Sequence, residues 1–189
     1  MVGLMLMLLL TQLFITATRR TEDSRLKVDL QQKAVLVLRH LSKHLEVASA
    51  RGMSATTSGE DYILALTPIQ SGYPNRWTTS QQLYVYRGAQ KEISWREALK
   101  GDFAEELIED RPYLPGPSEL ISLATNSTGK HRILSSYVEE FSLSDRNGSK
   151  TQFQVQPLVL DLKLRRPLSH SDRVTEFTVQ RRFVLRNNY

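Results

Sequence analysis

The chain has 189 residues, no cysteine, and a formal net charge of +5 from 25 Lys and Arg against 20 Asp and Glu. Lack of cysteine excludes disulfides, thiolate metal sites and cysteine nucleophiles. A charge balance of this size permits contact with nucleic acid or anionic lipid but does not demand it, and scattered surface Lys and Arg account for it more simply.

The first fifty or so residues organise the rest. Met1 to Ala17 is an apolar run with no charge before Arg19, and no Pro or Gly interrupts residues 4–50. Leu30, Ala34, Val37, Leu38, Leu41, Leu45 and Ala48 then recur at steps of three and four, the spacing of one helical face. Arg39, His40, Lys43 and His44 mostly fall away from that stripe, and Arg51-Gly52 supplies a stop. The pattern predicts one continuous helix over residues 1–52, on the order of 70 Å long.

Its first part, residues 1–18, is greasy on every side through Val2, Leu4, Leu6, Leu8, Leu9, Leu10, Leu13, Phe14 and Ile15. Such a segment needs lipid or a bundle of other helices, and it is expected to span a membrane. No Lys or Arg precedes the run and Ile15-Thr16-Ala17 is a poor exit site, so a cleaved signal peptide fits less well than a retained span. The run is about 18 residues long where roughly 20 are normally needed, and reads as a span lacking its first few residues. The one-sided second half, with Leu30, Ala34, Val37, Leu38, Leu41 and Leu45, is expected to pack on a head formed by residues 53–189.

Met53 to Glu60, small and polar, reads as a hinge. Strand patterns follow. Residues 62–67 form the first, closed by Pro68 and a turn at 71–75, and residues 82–87 and 91–95 form a hairpin. Residues 95–110 suggest a short helix with Leu99, Phe103 and Leu107 on one side, ended by Pro112, Pro115 and Pro117, and residues 120–124 suggest a strand. Ile133 to Leu143 reads as a single strand, followed by an Asn147-Gly148 turn. Leu158, Leu160, Leu162 and Leu164 alternate with polar or smaller residues, the mark of a half-buried antiparallel strand. Residues 176–186 form the last strand, with Arg181 interrupting its apolar parity at an expected bulge. The fold class is therefore α+β: a long helix covering one antiparallel sheet of six or seven strands.

Catalytic patterns do not emerge. His40 and His44 stand one helical turn apart, a metal-ligand spacing, but without a glutamate between them they read as exposed helix histidines. His170, beside Ser169, Ser171 and Asp172, lacks the strand-turn-helix setting of a nucleophile. Glu105, Glu106, Glu109 and Asp110 read as a solvated face, and no glycine-rich loop cradles phosphate. Trp77, Tyr84, Tyr86 and Trp95, interleaved with Arg76 and Arg87, suit either base stacking or cross-strand pairing, and pairing is preferred. No enzyme and no cofactor is expected.

Several stretches resemble minor type IV pilins of the PilW type and minor type II secretion pseudopilins of the J type. Met1-Val-Gly-Leu resembles the residues after the conserved glutamate of the prepilin motif, and Leu30 to Arg51 resembles the family's amphipathic helix. Gln82 to Arg87, Val138-Glu-Glu-Phe-Ser-Leu143 and Phe183-Val-Leu-Arg-Asn187 are similar to family strands in the same order. The leader, its cleavage glycine and the docking glutamate are not in this sequence, so its start was called internally or the processing motif has been lost.

The resemblance implies a non-enzymatic subunit, anchored in the inner membrane with its head outside the cytoplasm. It would help initiate or cap a pilus or pseudopilus, with other minor subunits and the inner-membrane assembly platform as partners. The alternative is a DNA-binding minor pilin of a competence pilus, using Lys163, Arg165, Arg166, Arg181 and Arg182 on the last two strands.

Overall fold

A computed structural model describes residues 2–73, 76–103, 110–168 and 173–185, with side chains from residue 5 onward. A long helix, α1 (Val2–Leu45), packs on antiparallel sheet, which makes the fold α+β. The helix ends earlier than its periodicity suggests. Ala48 to Gly52 belong instead to strand β1 (Ala48–Ser58), which also takes in most of the expected polar hinge. Tertiary contacts override the helical spacing here. Ala48, Ser49, Gly52, Met53, Ala55 and Thr56 are buried, and Gly52 lies so close to the Trp77 ring that a Cβ there would overlap it.

Strands β2 (Asp61–Pro68), β3 (Gln81–Arg87), β4 (Glu92–Ala98) and β5 (His131–Ser136) complete a five-stranded sheet in the order β1-β2-β3-β4-β5. The near-continuous apolar run in β2 is explained by burial on both sides. Tyr62, Leu64 and Leu66 join the core beneath α1, while Ile63 and Ala65 face α2 (Pro117–Asn126) on the opposite side. Segment 120–124 is thus helical, correcting the expected strand. Pro117 opens the helix, and Leu120, Leu123 and Ala124 bury at helical spacing. Over residues 95–103 the end of β4 and a 3-10 turn at Lys100–Asp102 stand where the start of a helix over 95–110 was expected; Leu107 and the acidic residues 105, 106 and 109 lie outside the described residues.

The expected strand over 133–143 is two strands in two sheets. Tyr137 breaks it with a left-handed backbone at φ 66°. Beyond it, β6 (Val138–Ser144), β7 (Leu158–Pro167) and β8 (Val174–Phe183) form a second sheet, order β6-β7-β8, so two sheets replace the single one anticipated. Tyrosine hydroxyls of the first sheet bolt the second to it. Tyr86 donates to the Glu139 carbonyl at 2.7 Å, and Tyr62 reaches the Leu143 carbonyl at 2.9 Å. The β7–β8 register runs unbroken from Leu158↔Phe183 to Pro167↔Val174, so Arg181 sits at no bulge. It keeps the inward parity opposite Leu160, at the rim, where its guanidinium lies 5.3 Å from the Phe183 ring centre.

Candidate functional site

The distinguishing feature is the uncovered start of α1. Leu30, Ala34, Val37, Leu38, Leu41 and Leu45 are buried against both sheets, with Phe141, Leu143 and the inward leucines of β7 in the same core. Residues 5–21, by contrast, are exposed throughout, about 25 Å of helix at the usual rise. Met5, Leu6, Met7, Leu8, Leu9, Leu10, Leu13, Phe14 and Ile15 point outward around the axis, between 43% exposed at Ile15 and 74% at Phe14. Val2 and Leu4 belong to the same helix, but their side chains lie outside the described residues. Among the described residues, no helix is long and apolar enough to cross a membrane.

The polar residues within the run are mostly self-satisfied. Thr11 donates its hydroxyl to the Met7 carbonyl at 2.7 Å, and Thr16 to that of Gln12 at 2.8 Å. Thr18 and Thr21 do the same to Phe14 and Ala17. Back-bonding of this kind leaves those hydroxyls with little need of water. Gln12 is the polar group of the run that still calls for a partner.

Two acids on α1 tie the helix to the head just beyond its exposed start. Asp23 accepts the Thr175 hydroxyl at 2.6 Å, and Asp29 accepts Arg166 at 3.1 Å while pairing with Lys33 at 3.2 Å. Arg166 and Lys33 also flank the Tyr137 ring, at 4.8 and 4.7 Å from its centre. Neither acid belongs to a motif recognisable in the sequence. Their signal was an Asp six residues apart on a helix whose partner strands carry Thr175 and Arg166.

His40 and His44 are not exposed, correcting that expectation. Each stands three residues after a buried stripe position, Val37 and Leu41, and that offset carries it to the edge of the core. Both Nδ1 atoms reach the Tyr84 hydroxyl, at 2.9 Å from His40 and 2.8 Å from His44, with Trp95 packed across the rings. One hydroxyl can donate to one imidazole and accept from the other, so the trio is satisfied when both rings are neutral. Burial lowers the pKa of His40, with Arg132 and Lys43 adding to the effect. Burial likewise lowers His44 to about 4, helped by His40 and Lys43, and pushes the Tyr84 phenol up.

Because the folded pKa lies below the unfolded value, the unfolded chain takes up more protons between pH 6.5 and about 4. The His44 contribution to stability is therefore full above pH 6.5 and is lost as pH drops through that window. Urea unfolding at pH 6.5 and at 5 should show a drop that His44→Gln cuts by about half; an equal drop in the variant would place the proton uptake elsewhere.

The remaining candidates separate. Tyr84 and Trp95 are direct cross-strand partners, and Tyr84, Tyr86 and Trp77 are buried, so this group offers no stacking platform. The five basic residues divide between the faces of the second sheet: Lys163, Arg165 and Arg182 have outward parity, Arg166 and Arg181 inward. Lys163 and Arg165 each pair with Glu176 at 3.3 Å, and Arg165 also lies 3.8 Å from Glu139. Together with the Arg166–Asp29 pair, these contacts neutralise much of the surface that would attract DNA. Among the described residues no three His, Cys, Asp or Glu side chains converge to hold a metal, and His170 lies outside those residues. Comparison with known proteins finds no matching family model, no matching curated protein and no matching solved structure.

Proposed function

We propose that this chain is a non-enzymatic filament subunit of the minor-pilin or minor-pseudopilin kind. The observation that carries the reading is a root of nine large apolar side chains left in water on a helix whose other half is built into the head. Leaving that much apolar surface hydrated costs on the order of 10 kcal/mol, comparable to the whole stability of a domain. An occupant is therefore required. Lipid would serve before assembly and neighbouring apolar helices afterwards. Hydrocarbon and helices are similarly apolar, so the exchange costs little and side-chain packing selects the partners.

In this reading the subunit waits in the inner membrane with its head in the periplasm. The assembly platform and other minor subunits then draw it into the start or tip of a filament. The resemblance of the helix and of the Val138–Leu143 and Phe183–Asn187 segments to that family supports the same conclusion.

The lack of cysteine gives a clean test. A Leu13→Cys or Phe14→Cys variant of the full chain, labelled at that single thiol with a benzophenone maleimide and irradiated in membranes of the cells that make it, should cross-link to subunits bearing similar apolar helices. Recovery of the intact chain from the soluble fraction, with no cross-link at either position, overturns the proposal.

A further inference from the structure

A second feature adjoins the root. Thr16, Arg20, Asp23 and Lys27 follow one another at three- and four-residue steps along α1, with Arg19 beside Arg20, and face the beginning of β8. Between them and residues 173–176 lies a cleft of about 620 Å³. Four cationic side chains line it: Arg19, Arg20 and Lys27 from the helix, and Arg173 from the approach to β8. Its two acids are already engaged. Asp23 is taken by Thr175 at 2.6 Å and Lys27 at 3.3 Å, and Glu176 by Lys163 and Arg165 at 3.3 Å each. Asp23 is held below its ordinary carboxyl value first by the Thr175 hydrogen bond; burial opposes this, while Lys27 and Arg173 favour the charged form. The described residues that line the cleft thus carry four positive charges against two negative ones.

Position gives this balance a meaning. The cleft opens at Thr16, directly after Ile15, the last large apolar residue of the exposed run. Arg19 and Arg20 lie roughly 6–8 Å further along the axis at the usual rise. The headgroup layer on one side of a bilayer is about 5–8 Å deep, the difference between total and hydrocarbon thickness shared by two leaflets. With the root in hydrocarbon, the arginines would stand at phosphate level. Guanidinium groups present paired donors to phosphate oxygens, and here they come from two separate elements.

We propose that this cleft binds the phosphate of an anionic phospholipid at the surface of the membrane that receives the root. The inference rests on the membrane-root reading above and adds a specific lipid contact to it.

The test uses full-length chain and flotation with two vesicle types at matched ionic strength, phosphatidylcholine alone and phosphatidylcholine with phosphatidylglycerol. The chain should float with both and more tightly with the anionic vesicles. Arg19→Gln, Arg20→Gln and Arg173→Gln should each lower that preference about fivefold while leaving binding to neutral vesicles unchanged. Arg25→Gln removes the same charge from the helix away from the cleft and should leave the preference nearly intact.

Equal losses from Arg25→Gln and Arg19→Gln would reduce the effect to diffuse attraction and overturn the proposal. Neutral-vesicle binding without an anionic preference would overturn it too, leaving the root reading standing. Displacement by inorganic phosphate at matched ionic strength would assign the cleft to free phosphate instead. Failure to float with either vesicle type would sink the root reading and this inference with it.

Discussion

Leu8→Asp should lower the partitioning of the full chain into neutral lipid vesicles several hundredfold. The substitution exchanges a leucine that favours the bilayer centre for a carboxylate that opposes it, a difference of about 3–4 kcal/mol on insertion scales. Leu8 is 61% exposed and belongs to neither hydrophobic cluster of the described residues, so the unfolding transition of the head should not move. Val28→Asp is the matched control. It places the same charge on an exposed position of the same helix, beyond the root, and should change partitioning little. Unaltered flotation of the Leu8 variant would mean that the root does not enter lipid. The proposed role in a filament would then lose its physical basis, because the same apolar surface is what a helical bundle would have to bury.

Leu41→Ala is expected to cost about 3–5 kcal/mol in equilibrium unfolding of the head. The side chain is fully buried in the cluster that joins α1 to both sheets, with Tyr84, Phe141 and the β7 leucines as fellow members. Close packing on two sides leaves little room for the surroundings to collapse into the void, which puts the cost toward the upper end for such truncations. That is at least about a fifth of the stability of an ordinary domain. Val35→Ala, on the exposed side of the same helix, should shift stability by no more than about 0.5 kcal/mol. A loss below 1 kcal/mol at Leu41 would show that the second half of the helix rests on the head without being part of its core.

These two variants probe opposite ends of one helix, and the apolar pattern of both ends is legible in the sequence. The stripe from Leu30 to Leu45 announced its buried face because a helix repeats every 3.6 residues and each member had to be apolar. The leucine alternation of β7 was equally plain: Leu158, Leu160, Leu162 and Leu164 are all buried, and their neighbours mostly are not. Periodicity was a poor guide where two environments produced the same pattern. Ala48 to Gly52 continued the helical spacing yet entered a strand, because the pairing of Ala48 with Pro68 and the packing of Gly52 against Trp77 outweigh local preference. Residues 120–124 looked like a short buried strand, and only Pro117, at the first helical position, gave the opposite hint.

Division of the head into two sheets hinged on Tyr137, whose left-handed backbone no residue pattern announces. The histidine pair followed the same logic. His40 and His44 could be placed at the border of the stripe from sequence, but whether that border meets water or Tyr84 depends on how far the sheet extends beneath it.

What the sequence determined by itself was an α+β chain with an all-round apolar start, a one-sided helix and antiparallel strands, since each of these is a repeat of hydrophobicity along a single element. Tertiary structure decided where the helix yields to strand, how the strands part into two sheets, which charges neutralise one another, and that Arg19, Arg20, Lys27 and Arg173 share a cleft. Those outcomes depend on residues distant in the chain becoming neighbours, as Asp23 and Thr175 do across 152 positions, and local periodicity carries no record of such meetings.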